Sequence, residues 1–398
     1  MEIILSCSPG LEKLLREEVL ELCPELHAEK TELRHGAIYC DLNEEEIQQV
    51  YLYSKLSSRM HLALRNFAAQ NPAMLYDQVR RIAWTDYFGV KHSFQVQTRG
   101  RSNAFEMPFA TLKIKDAICD EFRKRTKTQE RPNVSKDNPD FTVTAFFDPQ
   151  SGRCDLSLDL THDVLHRRGY RKVAGKAPLR ENKAAALVRL AAKHTSEDPA
   201  KIVDPFCGSG TLLYEYLLHR FRAPRMLKLQ IKDPLFKIFP RLEATSRSLH
   251  ALGWHSFQTT VQEASLPPLL ARDWDEFQLD AARENAKVLG VEKIIRFEKA
   301  AAMEFSEKNC LFLGNPPFGE RLGDAEKTKE LLQAWGRKIK FEMSPATLAL
   351  ALARTGLSKY LGFKPELKLQ VENGPVPLEL CICKIYSGAK IYSGAQVH

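Results

Sequence analysis

Along this 398-residue chain the spacing of apolar positions switches between strand and helix periods. Ile3–Cys7 is a short apolar run that predicts a strand, broken by Ser8-Pro9-Gly10. Leu11, Leu14, Leu15, Val19 and Leu22 then fall at helical spacing, and Ala37–Asp41 reads as another strand. Ile47, Val50, Leu52 and Leu56 return to the helical period. Alternation at Phe94, Val96 and Thr98, at Phe141, Val143 and Ala145, and at Leu156, Leu158 and Leu160 predicts half-buried strands. Between them Ala110–Arg125 reads as an amphipathic helix, with Leu112, Ile114, Ile118 and Phe122 on its apolar side.

After the basic connector His166-Arg167-Arg168-Gly169-Tyr170-Arg171-Lys172 the pattern alternates strand and helix to about residue 386. That order favours a mostly parallel, doubly wound sheet. Leu367–Val371, Asn373-Gly374 and Leu378–Tyr386 read as two strands joined by a turn. Residues 384–389 recur as 390–395, but one tandem copy makes no solenoid, and 387–398 is expected to be a tail. The fold class expected is α/β: a Rossmann-like C-terminal domain behind an N-terminal α+β region.

Composition narrows the function classes. With 44% hydrophobic and 27% charged residues, wholesale disorder is excluded. No window approaches eighteen apolar residues, and Met1–Cys7 lacks the basic flank and apolar length of a signal peptide, so no membrane association is expected. None of the nine cysteines forms a C-x-x-C pair, which suits reduced thiols in a cytoplasmic protein and gives no reason to expect a metal. The net charge of +8 is unevenly spread. Residues 1–50 carry −8 and residues 51–250 carry +15, as a polyanion-binding surface requires.

Two turns carry the chemistry. Ile202-Val203-Asp204-Pro205-Phe206-Cys207-Gly208-Ser209-Gly210-Thr211 is a strand ending in a tight turn that opens a helix. Gly208 and Gly210 permit positive φ and let a ligand approach bare backbone. Asp204 puts a carboxylate at the strand's carboxyl end, which suits a cationic ligand end better than a diphosphate. The dinucleotide pattern G-x-G-x-x-G fails at Leu213, no Walker lysine follows, and Cys207 lacks a His at a recognisable spacing.

The second turn is Asn315-Pro316-Pro317-Phe318, after the apolar run Cys310–Gly314. Its prolines fix φ and remove two donors, holding the Asn315 amide and the Pro316 carbonyl in one geometry. A side-chain and a backbone carbonyl can accept both N–H groups of an exocyclic amine, leaving the nitrogen lone pair aimed at an electrophile. Phe318 offers a face for stacking a planar base.

Paired in this order, D-P-F-C-G-S-G-T and N-P-P-F resemble the motifs of S-adenosylmethionine-dependent amino-methyltransferases. Leu165–Arg171, Ala177-Pro178-Leu179-Arg180-Glu181, N-P-P-F-G-E-R-L-G, Lys113–Ile118 and Arg131-Pro132-Asn133-Val134 extend the likeness. Over residues 1 to about 386 the chain resembles the bacterial THUMP-containing N2-guanine methyltransferases of 23S ribosomal RNA. The resemblance implies a ferredoxin-like part at 1–42, a THUMP RNA-binding domain at 43–162 and a methyltransferase domain at 163–386. It implies S-adenosylmethionine as cofactor, with Asp204, Pro205, Phe206, Cys207, Gly208, Gly210 and Thr211 around its methionine end and Asp273 on its ribose hydroxyls. Asn315, Pro316, Pro317 and Phe318 would hold the guanine amino group.

Two positions depart from the family pattern. The ribose acid stands in Ala271-Arg272-Asp273 rather than Gly-x-Asp, after Pro267-Pro268, a poor central-strand sequence, so Asp275 is a second choice. Ala301 replaces an adenine-contacting Asp, which removes a hydrogen bond of about 1 kcal/mol. Lys113, Lys115, Arg131, Arg168 and Arg171 are expected to contact RNA phosphates. The reading is a methyltransferase forming N2-methylguanosine in 23S rRNA. A tRNA guanine methylase, a DNA or protein amino-methylase and a non-catalytic RNA-binding protein remain as alternatives.

Overall fold

A computed structural model describes residues 1–126, 129–175, 178–195, 199–317, 324–353, 355–372 and 377–386. The N-terminal strands are β1 (Glu2–Ser6), β2 (Thr31–Arg34), β3 (Ala37–Asp41), β4 (Arg59–Ala68), β5 (Ser93–Gly100), β6 (Asn133–Val134), β7 (Phe141–Asp148) and β8 (Arg153–Asp159). They form one sheet in the order β2-β3-β1-β4-β8-β7-β5-β6. Among the described residues the α-helices beside it are α1 (Glu12–Leu22), α2 (Glu44–Tyr53), α3 (Pro72–Arg80) and α4 (Met107–Arg125). Asn43 starts α2 with a reciprocal cap, its side chain taking the Glu46 N–H while Glu46 takes its own. The strand β4 pairs with β1 on one side and β8 on the other, so the sheet runs unbroken across the division expected at residue 42.

The second half contains α5 (Glu181–His194), β9 (Lys201–Asp204), α6 (Thr211–Arg220), α7 (Pro234–Ile238), α8 (Arg241–Glu263), β10 (Leu269–Asp273), α9 (Glu276–Leu289), β11 (Ile295–Lys299), β12 (Cys310–Gly314), α10 (Asp324–Glu342), β13 (Ala346–Ala353), β14 (Leu367–Val371) and β15 (Leu378–Ile385). The sheet order is β11-β10-β9-β12-β13-β15-β14, with β15 antiparallel to both neighbours. Its central strands β12 and β13 read as continuous apolar runs because both faces are covered. In β12, Leu311 and Leu313 enter one core while Cys310 and Phe312 enter the other, with Trp335 of α10. The expected weakness of the second strand does not materialise. Pro267 and Pro268 precede β10, and the Pro268 carbonyl accepts the Ile202 N–H at 3.0 Å.

The halves share one apolar core, which runs from Ile3 through Tyr51 and Leu187 to Leu380. Polar contacts reinforce the join. The Tyr51 hydroxyl donates to Asp233 at 2.6 Å, Gln48 donates to Ser246 at 2.8 Å, and the Glu372 N–H reaches the Pro9 carbonyl at 2.9 Å. Among the described residues no helix is long and apolar enough to cross a membrane.

Candidate active site

The chain reverses its direction of travel across the second sheet between β9 and β12, and open α/β sheets bind ligands at the carboxyl ends of the strands there. The ends of β9, β10 and β12 surround a cavity of about 870 Å³, a size that accommodates a nucleoside-bearing ligand.

The glycine turn after β9 is pinned to the end of β10. Cys207 N–H donates to the Arg272 carbonyl at 2.9 Å, and Gly208 N–H donates to Asp273 Oδ2 at 3.0 Å. Gly208 and Gly210 adopt φ of 51° and 87°. A Cβ on Gly210 would lie 2.2 Å from the Tyr214 hydroxyl, so the turn has neither the backbone freedom nor the space for another residue there.

Asp204 is 1% exposed, and its Oδ1 accepts the Phe206 N–H at 3.1 Å. Burial holds its carboxyl well above the ordinary carboxylate range, and the nearby Asp273 adds to that. Burial also raises Asp273, opposed by N–H bonds from Asp275 and Gly208. Two buried acids whose charged forms are penalised would gain from a cationic ligand end. Burial pushes the Cys207 thiol up, which leaves it inert as a nucleophile.

Across the cavity, Asn315-Pro316-Pro317 follows the end of β12. Asn315 Oδ1 is inaccessible to solvent and has no hydrogen-bond partner among the described residues. An unpaired acceptor of this kind costs about 1–3 kcal/mol, a cost that an incoming N–H donor would remove. The Thr328 hydroxyl of α10 donates to the Pro317 carbonyl at 3.2 Å and ties the turn down.

Asp204, Pro205, Phe206, Cys207, Gly208, Thr211, Asp273, Asn315, Pro316 and Pro317 all line this one cavity, and Gly210 stands in the turn behind it. Phe318, Glu320 and Arg321 lie outside the described residues. Asp275 also lines the cavity, but its carboxylate caps α9 by accepting the Phe277 N–H at 3.0 Å. Ala301 gives the wall a methyl group where an acid was the family expectation. The buried acids, the bare turn and the orphaned Asn315 oxygen fit S-adenosylmethionine with an amino acceptor.

Two expected RNA contacts are corrected by the partners these side chains already hold. Arg168 is 1% exposed. Its guanidinium pairs with Glu215 at 3.2 Å and donates to the carbonyls of Leu165 and Lys55, so no phosphate can reach it. Arg171 turns inward as well, donating to Thr211 Oγ1 at 2.9 Å and the Leu179 carbonyl at 2.8 Å, beside Glu181 at 3.4 Å. It braces the first residue of α6. Lys113 and Lys115 sit on α4, over the Phe109 ring and beside Asp116 respectively, and Arg131 is exposed after that helix. None of the three lines the cavity.

The sequence reading missed Trp274, Gln278, Met303, Lys327 and Thr328, which also line the cavity. Trp274 keeps 71% of its surface exposed, a large apolar ring immediately after the ribose acid that could have drawn attention. The others belong to no motif.

Fold and site together define a methyltransferase-type doubly wound domain carried behind an N-terminal α+β region. A family model described as "RMKL-like, methyltransferase domain" matches residues 168–380, and a THUMP domain model matches residues 69–159. The chain belongs to the RMKL-like methyltransferase family. It is 31% identical over 383 residues to the ribosomal RNA large subunit methyltransferase K/L of Syntrophotalea carbinolica, covering 93% of this chain and 52% of that protein. Its identity to the protein of the same name from Ectopseudomonas mendocina is also 31%, covering 96% and 53%. The chain thus spans about half the length of the curated relatives it matches. A solved structure of SMU.472, described as a methyltransferase candidate complexed with SAH, superposes with a TM-score of 0.80 at 21% identity, covering 97% of each chain. That likeness shows the fold.

Proposed function

We propose that this chain transfers a methyl group from S-adenosylmethionine to the N2 amino group of guanine in RNA, with 23S ribosomal RNA in the cytoplasm as its substrate. The observation that carries this reading is Asn315, whose Oδ1 has no partner among the described residues, in the wall of a cavity that Asp204 and Asp273 also line. The names of the curated relatives support the choice of ribosomal RNA.

Asp204 and the Gly208–Gly210 turn would hold the methionine end, and Asp273 the ribose hydroxyls. The cofactor supplies an electrophilic methyl group when bound. Asn315 Oδ1 and the Pro316 carbonyl accept the two N–H groups of the guanine amine, which fixes its nitrogen and leaves the lone pair free to attack. Thr328 keeps that turn in place through Pro317. The methylated nitrogen then loses its proton to water or a carbonyl, so no dedicated base is required. The guanine must leave its helix, or be met unpaired, to enter the cavity. The THUMP module supplies phosphate contacts through Lys113, Lys115 and Arg131.

Incubating the purified chain with unmodified 23S rRNA and S-adenosylmethionine, followed by nucleoside mass spectrometry, tests the reading. N2-methylguanosine at a single position is expected. Its formation only in tRNA would reassign the substrate, and its absence from both would refute the activity.

A further inference from the structure

A second cavity, of about 970 Å³, lies between the N-terminal region and the methyltransferase domain. The helix α6 connects it to the active site. Thr211 at the start of α6 lines the first cavity, while His219 and Arg220 at its end line the second. Ten helical residues separate the two by about 15 Å.

The charge balance of this second cavity is one-sided. Two acids, Glu18 and Glu21, face four basic side chains, Lys55, Arg189, Arg220 and Arg222, and Glu21 pairs with Arg189. Lys55 is buried, its ammonium donates to the Ala223 carbonyl at 2.9 Å and the Tyr53 carbonyl at 3.5 Å, and the Glu18 carboxylate acts on it without a direct bond among the described residues. Arg189 is buried too, and its Nε has no acceptor among the described residues. Arg220 and Arg222, both exposed, make no ion pair among the described residues. The carboxyl end of α6 carries about half a negative charge, which offsets only part of this excess.

Two local features bear on this excess. Burial first, and the neighbouring Lys55, Arg189 and Arg222 after it, hold the His219 imidazole down at about 4, so this side chain adds no charge to the cavity at neutral pH. Arg222 occupies a left-handed backbone position (φ 48°) just past the helix, where glycine is the usual residue. The chain thus keeps an arginine at this wall in a conformation that disfavours it.

We propose that this cavity binds a small phosphate-bearing anion, held by Arg220 and Arg222 at the mouth with Lys55 and Arg189 behind them. Such a ligand would supply the charge that the protein withholds, and it would bridge the two halves of the molecule. Tyr53 in the same wall offers a ring to a base, so inorganic phosphate and a nucleoside monophosphate share the chemistry required.

Titration calorimetry on the full chain, with inorganic phosphate and separately with GMP, distinguishes the sources. Binding is expected in the unmodified protein, and at least tenfold weaker binding in the double variant Arg220→Gln, Arg222→Asn. Asparagine tolerates the left-handed position, so the fold should survive. The single exposed change Arg220→Gln should by itself weaken binding several-fold. Equal affinity for both probes assigns the free ion, and tighter binding of GMP assigns the nucleotide. No binding of either probe, or binding that the double variant leaves unchanged, overturns the proposal.

Discussion

Asp273 Oδ2 accepts the Gly208 N–H at 3.0 Å, so the carboxylate that ends β10 also holds the glycine turn that follows β9. On the proposed function, one side chain would both hold the cofactor and brace the turn. Asp273→Ala should raise the KM for S-adenosylmethionine roughly 10–100-fold, the worth of losing one or two charge-assisted hydrogen bonds, with RNA affinity unchanged. An unaltered KM would remove Asp273 from the site.

Asp204 links cofactor binding to pH. Burial raises its folded-state pKa above the unfolded value, so the folded chain without cofactor holds that proton more tightly than the unfolded chain does. The resulting stability is complete below the ordinary carboxylate value and is lost as pH rises through the raised one. A cationic ligand end favours the ionised form and reverses the shift. Cofactor binding should therefore release a proton within that window and tighten as pH rises. Calorimetry in two buffers of different ionisation enthalpy should give different heats for the unmodified protein. The difference should shrink in Asp204→Asn, with Asp273, also raised by burial, supplying the remainder. Buffer-independent heats would mean that both acids are already ionised.

Thr328 acts at one remove. Its hydroxyl holds the Pro317 carbonyl from α10, and the next residue back carries the carbonyl proposed to receive the amine. Thr328→Val should lower kcat about 5–10-fold, near the 1 kcal/mol of one hydrogen bond, while cofactor affinity stays the same. Thr328→Ser should restore most of the rate. Equal losses in both variants would point to packing instead.

Arg168 should behave as a structural residue. Arg168→Met leaves Glu215 buried with the Tyr170 hydroxyl as its remaining side-chain donor, and breaking such a pair costs about 3–5 kcal/mol. A lower urea midpoint is expected, with an unchanged salt dependence of RNA binding. A phosphate contact would instead cut that slope by about one.

What the sequence disclosed followed the range of the interactions involved. The Gly turn and the N-P-P turn are contiguous, and the apolar run of β12 is continuous because both its faces are covered, so all three were readable directly. The strand β4 was not. Arg59 and Arg65 interrupt its alternation, and a register shift between Ala63 and Arg65 breaks the period of two. Arg168 and Arg171 look like any basic connector until the fold brings Glu215 and Thr211 to them from 47 and 40 residues away in sequence. Thr328 is eleven residues from the carbonyl it holds, with no motif to mark it. Pro267-Pro268 misled in the other direction, because both residues stop just short of the strand they were expected to disturb.

The central claim is that Asn315 Oδ1, without a partner among the described residues, receives the guanine amine. Asn315→Ala tests it most directly, with mass-spectrometric counting of N2-methylguanosine in 23S rRNA under single-turnover conditions. The account predicts that methyl transfer is abolished while the affinities for S-adenosylmethionine and RNA persist. Undiminished N2-methylguanosine formation in that variant would contradict it.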